Sequence, residues 1–221
     1  RPQVNTEIAR MDINSKQLND YVNMSLSCCT YDIAKVVHFC YKSKYVVAKL
    51  KAKQWYMFDG VKWRLTEIGP YYELSSEMVK IYESYRKREE AQYDVAFTDQ
   101  EKEILDKKIL AFDTIVQKLK NVNSKEQICK ECLYLFYDPD FIYKLDKIDQ
   151  LICFQNGVLN LDNNKFQIGD PEDYLSIMIE CDFTYPRTSI EKKALTEIIE
   201  SYQSFRLNIL NKRKNKLIFT I

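Results

Sequence analysis

Glycine is scarce in this chain, with four residues in 221, at positions 60, 69, 157 and 169, each alone in a turn-like setting. A phosphate-cradling P-loop needs G-x-x-x-x-G-K-[ST], because only glycine backbone can wrap that closely around the phosphates. The chain by itself is therefore not expected to hydrolyse ATP. Histidine is scarcer still: His38 stands alone, and any Ser-His-Asp or Cys-His arrangement would have to use it. It falls mid-helix with no nucleophile at a telling spacing, so a packed or helix-surface histidine is expected and no catalytic residue is assigned. No apolar run approaches the roughly 18 residues that suggest a membrane span, so no membrane partner is expected. The first residues, RPQVNTEIARMD, lack the apolar centre of a secretion signal. A protein that is not secreted should keep its seven cysteines as reduced thiols rather than a disulfide framework. Net charge is also nearly absent, at +1, which argues against a globally basic nucleic-acid binder and leaves a local patch open.

What is present is ordinary for a globular fold. Hydrophobic residues make 46% and charged residues 29%, and the length suits one larger domain or two small ones. Residues 5–23 show weak helical periodicity through Ile8, Met11, Leu18 and Val22. Ile33, Val36, Val37, Cys40 and Tyr41 then form an i, i+3, i+4, i+7, i+8 stripe behind Thr30, which predicts a helix over 31–42. Residues 45–50 turn to strand chemistry, and 54–58 pairs with 61–65 across Asp59-Gly60. Ser75 or Ser76 should cap a helix running to about Gln92. Thr98 with Glu101 reads as a capping box before a long helix, and Ser124 starts another that Asp138-Pro139 stops. A β-meander follows, with strands at 151–154, 158–161 and 166–168, its first turn at Asn156-Gly157, and a last helix spans 189–205. The expected class is α+β, mostly helical with two small antiparallel hairpin or meander units. The organisation read from this order is a helical lead-in (1–30), a main domain (31–185), and a C-terminal helix with a basic tail (186–221).

Three groups of side chains could carry chemistry. Cys129 and Cys132 form a CKEC pair, but zinc sites read from sequence have two such pairs, and no second pair exists here. Buried thiols are the expectation, and no metal or other cofactor is assigned. Asp138, Asp140, Asp146, Asp149, Glu172 and Asp173 could hold magnesium, yet they stand at turns and helix starts, where acids cap helices. Lys51, Lys53, Lys62, Trp63 and Arg64, with Lys49, mix cations and aromatics as surfaces that follow a single strand do. The alternative is that Trp55, Tyr56 and Trp63 pack inward and leave solvated lysines. The tail RLNILNKRKNK, from Arg206 to Lys216, could likewise touch phosphate or be an unstructured end.

Three stretches carry a family resemblance: FQNGVLNL with FQIGDPEDYLS, WYMFDGVKWRLTEIG, and the helix-to-meander order from IVQKLKNVNSKEQICKECLYLF onward. Together they resemble the domain that precedes the superfamily 3 helicase in the primase-helicases of poxviruses and other large nucleocytoplasmic DNA viruses. The resemblance covers roughly 31–185. It implies a connector role in viral DNA replication, positioning DNA or supporting the helicase ring, with DNA contacted weakly or through partners. It also implies a primase or helicase module as partner, a homo-oligomer as one assembly, and a place in the host cytoplasm, at viral factories, or in the virion. Such a family continues into a helicase with its P-loop, which this sequence does not hold. A stand-alone module that binds or regulates a helicase is the alternative reading, and a zinc-dependent enzyme or nuclease a more distant one.

Overall fold

The computed structural model describes residues 16–218, with side chains described through 213. The expected lead-in over 5–15, with Ile8 and Met11, lies outside the described residues, as do the side chains of Lys214 and Lys216 in the basic tail. By compactness the chain divides into two units. The first holds 16–56 and Leu65–Pro139, the second Met57–Arg64 and 140–218.

The first unit is mainly helical. Helices α1 (Lys16–Ser25), α2 (Thr30–Tyr41), α4 (Val79–Val95), α5 (Asp99–Lys120) and α6 (Val122–Leu135) pack as α1 on α2, α2 on α6, and α4 on α5. The α5 stripe Leu105, Phe112, Ile115 and Leu119 is buried because its spacing of seven, three and four keeps one face inward. Phe112 meets the rings of Tyr82 and Tyr85 at 6.2 and 6.3 Å, and burying each such side chain contributes about 2–3 kcal/mol. Their hydroxyls stay satisfied, Tyr82 donating to Ser25 Oγ at 2.9 Å and Tyr85 to Asn19 Oδ1 at 2.6 Å. The Thr98–Glu101 capping box forms as expected. Two helix starts differ from the expectation. Ser76 does not cap; its hydroxyl donates to the Tyr72 carbonyl at 2.8 Å, inside a helix that opens as α3 (Tyr71–Glu73) and passes through a π-helical turn (Leu74–Met78) into α4. Likewise α6 opens at Val122, because the Asn121 side chain accepts from the Ser124 amide at 3.0 Å and takes the cap.

Strands β1 (Tyr45–Lys49), β2 (Gln54–Phe58) and β3 (Trp63–Thr66) form one antiparallel sheet in that order. The β2–β3 loop is four residues long rather than a two-residue turn. Asp59 Oδ1 accepts from the amides of Val61 and Lys62 at 3.1 and 3.0 Å, which stabilises the longer loop, and Gly60 supplies the positive φ of 103°.

In the second unit, α7 (Phe141–Lys144) leads into the meander β4 (Leu151–Phe154), β5 (Gly157–Asn160) and β6 (Lys165–Gln167). All four β4 residues are buried, so the sheet is covered on both faces. Ile152, Phe154 and Leu159 face Phe183 and Tyr202, the latter on α8 (Ser189–Ile218), while Leu151, Cys153 and Val158 face Leu175 and Val61. This alternation is the strand period of two. The first turn sits one residue earlier than expected. Phe154 pairs with Gly157, which leaves Gln155 and Asn156 as the turn. Asn156 is used elsewhere: its amide donates to the Phe183 carbonyl at 3.1 Å and accepts from the Phe183 amide at 2.8 Å. Gly157 is required in the strand itself, since a Cβ there would lie 2.5 Å from the Gln167 carbonyl oxygen.

The expected last helix continues past Phe205 for thirteen further residues, through much of the basic tail. No glycine or proline follows Pro186 to stop it, and two of its arginines are bound. Arg206, 3% exposed, donates to the carbonyls of Ile148 and Leu151 at 3.2 Å each and pairs with Asp149. Arg213 donates to Asp146 Oδ2 at 2.8 Å and to Ser176 Oγ at 3.0 Å. Asp146 is fully buried, has a left-handed φ of 59°, and also accepts from the amides of Ser176 and Ile177 at 2.7 and 3.1 Å. Removing one partner of such a buried pair costs about 3 kcal/mol or more, because the other group is left uncompensated. Asp146→Ala should therefore lower the unfolding free energy of the second unit by about 3 kcal/mol, and Asp146→Asn by less. Urea denaturation of a Trp55→Phe chain, read through Trp63 of the second unit, measures this; an unchanged midpoint in Asp146→Ala would refute the anchoring role.

Candidate nucleic-acid interface

Residues 33–58 hold six lysines and no acidic residue. Two of the six are neutralised in the first unit: Lys35 by Asp32 and Lys44 by Glu73, each at 3.0 Å. Lys49, Lys51 and Lys53 are exposed on and after the end of β1. The turn that carries them is closed by the Lys53 amide donating to the Leu50 carbonyl at 3.0 Å, with Lys53 itself left-handed at φ 46°. For a residue with a Cβ that conformation costs roughly 1–2 kcal/mol. It turns the chain in three residues, each bearing an exposed side chain. Beside β1 runs the segment after α6: Val47 donates to the Phe136 carbonyl at 2.9 Å, and Asp138 donates back to the Val47 carbonyl at 3.0 Å. Tyr137, bridged to Val47, is 40% exposed, and Tyr134 is 72% exposed. The first unit thus offers one lysine, Lys49, two residues along the strand from the bridge to an exposed tyrosine, with Lys51 and Lys53 on the turn that follows. Sequence reading missed these tyrosines, which flank buried Phe136 where α6 ends and the chain passes into the bridge with Val47.

The remaining candidates, Lys62, Trp63 and Arg64, belong to the second unit, whereas Lys51 and Lys53 belong to the first. Trp63 is a core residue, 3% exposed: its indole N–H donates to the Pro171 carbonyl at 2.8 Å and its ring packs on Phe141 at 5.0 Å. Its faces are occupied by protein, leaving half-buried Lys62 and exposed Arg64 as the polar members of that trio. Trp55 is packed as well, against Tyr45 and Phe136 at 6.2 and 5.6 Å.

The other groups are also absorbed into the fold. Asp146 and Asp149 pair with Arg213 and Arg206, and Asp170 and Asp173 form a capping box on the short 3₁₀ turn Pro171–Asp173. His38 stacks edge-on against Phe136 at 4.8 Å, and burial, helped by Lys42, holds its imidazole pKa below the ordinary range. Cys132 is fully buried and Cys129 half-buried, and burial pushes Cys129 up to about 12. Among the described residues, no three His, Cys, Asp or Glu side chains gather as a metal site would require, and no helix is long and apolar enough to cross a membrane. The burial pattern predicts thiol reactivity directly. In the native protein at pH 8, a thiol-titrating disulfide reagent should react quickly with Cys29 and Cys181, which are exposed, while Cys40, Cys132 and Cys153 should wait for denaturant. Fast native reaction at Cys132, mapped by mass spectrometry, would contradict the packing of α6.

The family model described as "D5 N terminal like" matches residues 34–204. Among curated proteins, a candidate helicase of Acanthamoeba polyphaga mimivirus is 28% identical over 170 residues, covering 75% of this chain and 17% of that protein. A candidate helicase of Frog virus 3 (isolate Goorha) is 27% identical over 184 residues, covering 68% and 19%, and one of Invertebrate iridescent virus 3 is 27% identical over 168 residues, covering 65% and 18%. The chain thus spans less than a fifth of the length of these relatives. With the match running from α2 into α8 and taking in both sheets, the chain belongs to the D5 N terminal like family, a helicase-associated domain of large DNA viruses.

Proposed function

We propose that this chain is a non-catalytic connector domain of a viral DNA-replication primase-helicase. It guides DNA toward a motor supplied by other sequence, or supports that motor's ring. The relatives that share the domain are named as helicases, and the domain occupies a small part of each, as an accessory element would. The observation that carries the DNA-guiding reading is the acid-free stretch 33–58, whose exposed lysines 49, 51 and 53 stand at the end of β1 and on the turn after it. Lys49 is two residues along the strand from the bridge to exposed Tyr137. Lysines on a tight turn follow phosphates, and an exposed ring gives an unpaired base a stacking surface worth about 1–3 kcal/mol. A net charge of +1 is compatible with this, because phosphate responds to the local field within about a Debye length of 8–10 Å and not to the sum over the molecule.

Fluorescence anisotropy with single-stranded, duplex and forked DNA, at low and moderate salt, tests the reading. Binding should be salt-sensitive. Replacing Lys49, Lys51 and Lys53 together by Ala should weaken it at least about tenfold and lower the salt slope by about one per lysine removed. Replacing Tyr134 and Tyr137 by Ala should weaken single-stranded binding more than duplex binding. Binding lost only on replacing Lys62 and Arg64 would move the interface to the second unit. No binding to any DNA, together with nuclease-resistant co-purification with a helicase, would replace the DNA-guiding role by that of a protein-interaction module. ATP hydrolysis by the purified chain would refute the non-catalytic reading.

A further inference from the structure

The turn between α4 and α5 carries the most exposed large apolar side chain among the described residues. Phe97 is 98% exposed, and around it Val95 and Ile104 are 68% and 53% exposed. Beside Phe97 lies a groove of about 320 Å³, lined also by Val95, Ala96, Ile104 and Leu105. Single exposed apolar residues are common on protein surfaces, but a contiguous set around a groove marks a contact site.

This turn is not loose. Glu101 Oε2 accepts from the amides of both Phe97 and Thr98, at 3.2 and 3.1 Å, while Thr98 Oγ1 accepts from the Glu101 amide at 3.2 Å. The capping box therefore holds the backbone of Phe97 in place, so little ordering is left to oppose binding. The chemistry surrounding the ring is predominantly acidic. Residues 92–105 contain Asp94, Asp99, Glu101 and Glu103 against Lys102, a net charge of −3 by sequence. Glu103 is paired with Lys107 at 2.7 Å and Glu101 holds the turn, so exposed Asp94 and Asp99 are the carboxylates left to meet a partner. Lys102 leans over the Tyr93 ring at 5.7 Å.

We propose that the α4–α5 turn is a docking site for a basic protein segment, one that places an apolar side chain in the groove beside Phe97 and Lys or Arg against the flanking carboxylates. Charge selects this occupant. Nucleic acid is repelled by the acidic rim, and a second copy bound through the same turn would set carboxylates against carboxylates. The site is independent of the lysine turn and stands whether or not the chain binds DNA.

The probe is a 14-residue peptide of lysine and leucine, with a glutamate-leucine peptide of equal apolar content as its counterpart. Anisotropy should show salt-sensitive binding of the lysine peptide only, with hydrogen-exchange protection concentrated in 92–105. Phe97→Ala, and separately Asp94→Lys with Asp99→Lys, should each weaken binding at least about tenfold. These side chains are exposed, so the variants should keep the native fold. Three results overturn the proposal: no binding of the lysine peptide, equal binding of the glutamate peptide, or affinity unchanged by both variants. A dimer of the chain alone that dissociates in Phe97→Ala, seen by sedimentation, would assign the site to a second copy instead.

Discussion

The second unit depends on one buried carboxylate. Asp146 is fully buried and sits in a left-handed backbone conformation, so it carries both a desolvation and a conformational cost. Both are offset because its oxygens terminate two backbone amides, the Ser176 hydroxyl and the Arg213 guanidinium. Those partners come from two separate parts of the chain. Residues 176–177 run toward the bridge between Ile179 and Phe154, and Arg213 lies three turns beyond Tyr202 on α8. The carboxylate therefore fixes the strand-like segment that leads to one face of the meander and the far end of the helix that covers it. Apolar burial of Ile152, Phe154 and Tyr202 favours that arrangement without specifying it, and directional bonds to Asp146 specify the register.

The same economy of charge explains the C-terminal basic run. In the sequence it resembles a phosphate-binding tail. In the structure its first arginine is 3% exposed and bonded to two carbonyls and a carboxylate. Arginine suits this task because its planar donors serve several acceptors at once while its charge persists in a poorly hydrated site. The lysines at 49, 51 and 53 have no comparable setting and remain exposed. Cations alike on the page thus separate into internal ties and surface charge according to whether carbonyl and carboxylate groups converge on them.

That separation marks the limit of what local sequence can tell. The Thr98–Glu101 box, the α5 stripe and the three strands of the meander were legible because each depends on a pattern confined to one short stretch of chain. The inward placing of Trp63 could be read only as one of two alternatives, since its indole partner is the carbonyl of Pro171, 108 residues away. The shift of the first meander turn had the same origin: Asn156 is drawn to Phe183, 27 residues on, and Gly157 is required by Gln167 across the sheet. Of the candidate DNA-contacting residues, the lysines could be read from an acid-free stretch, whereas Tyr137 became visible only through its bridge to Val47.

A net charge of +1 conceals two opposed local charge patterns, a stretch of 26 residues with six lysines and no acid, and a helix turn of net −3 by sequence around an exposed phenylalanine. At physiological ionic strength, fields of this kind are screened over about 8 Å, so each acts on what comes into contact with it rather than at long range. A molecule built this way would attract phosphate at one place and cations at another without becoming sticky overall, since neither sign dominates at long range. On the reading proposed above, that form would suit a connector that holds two unlike partners and favours neither.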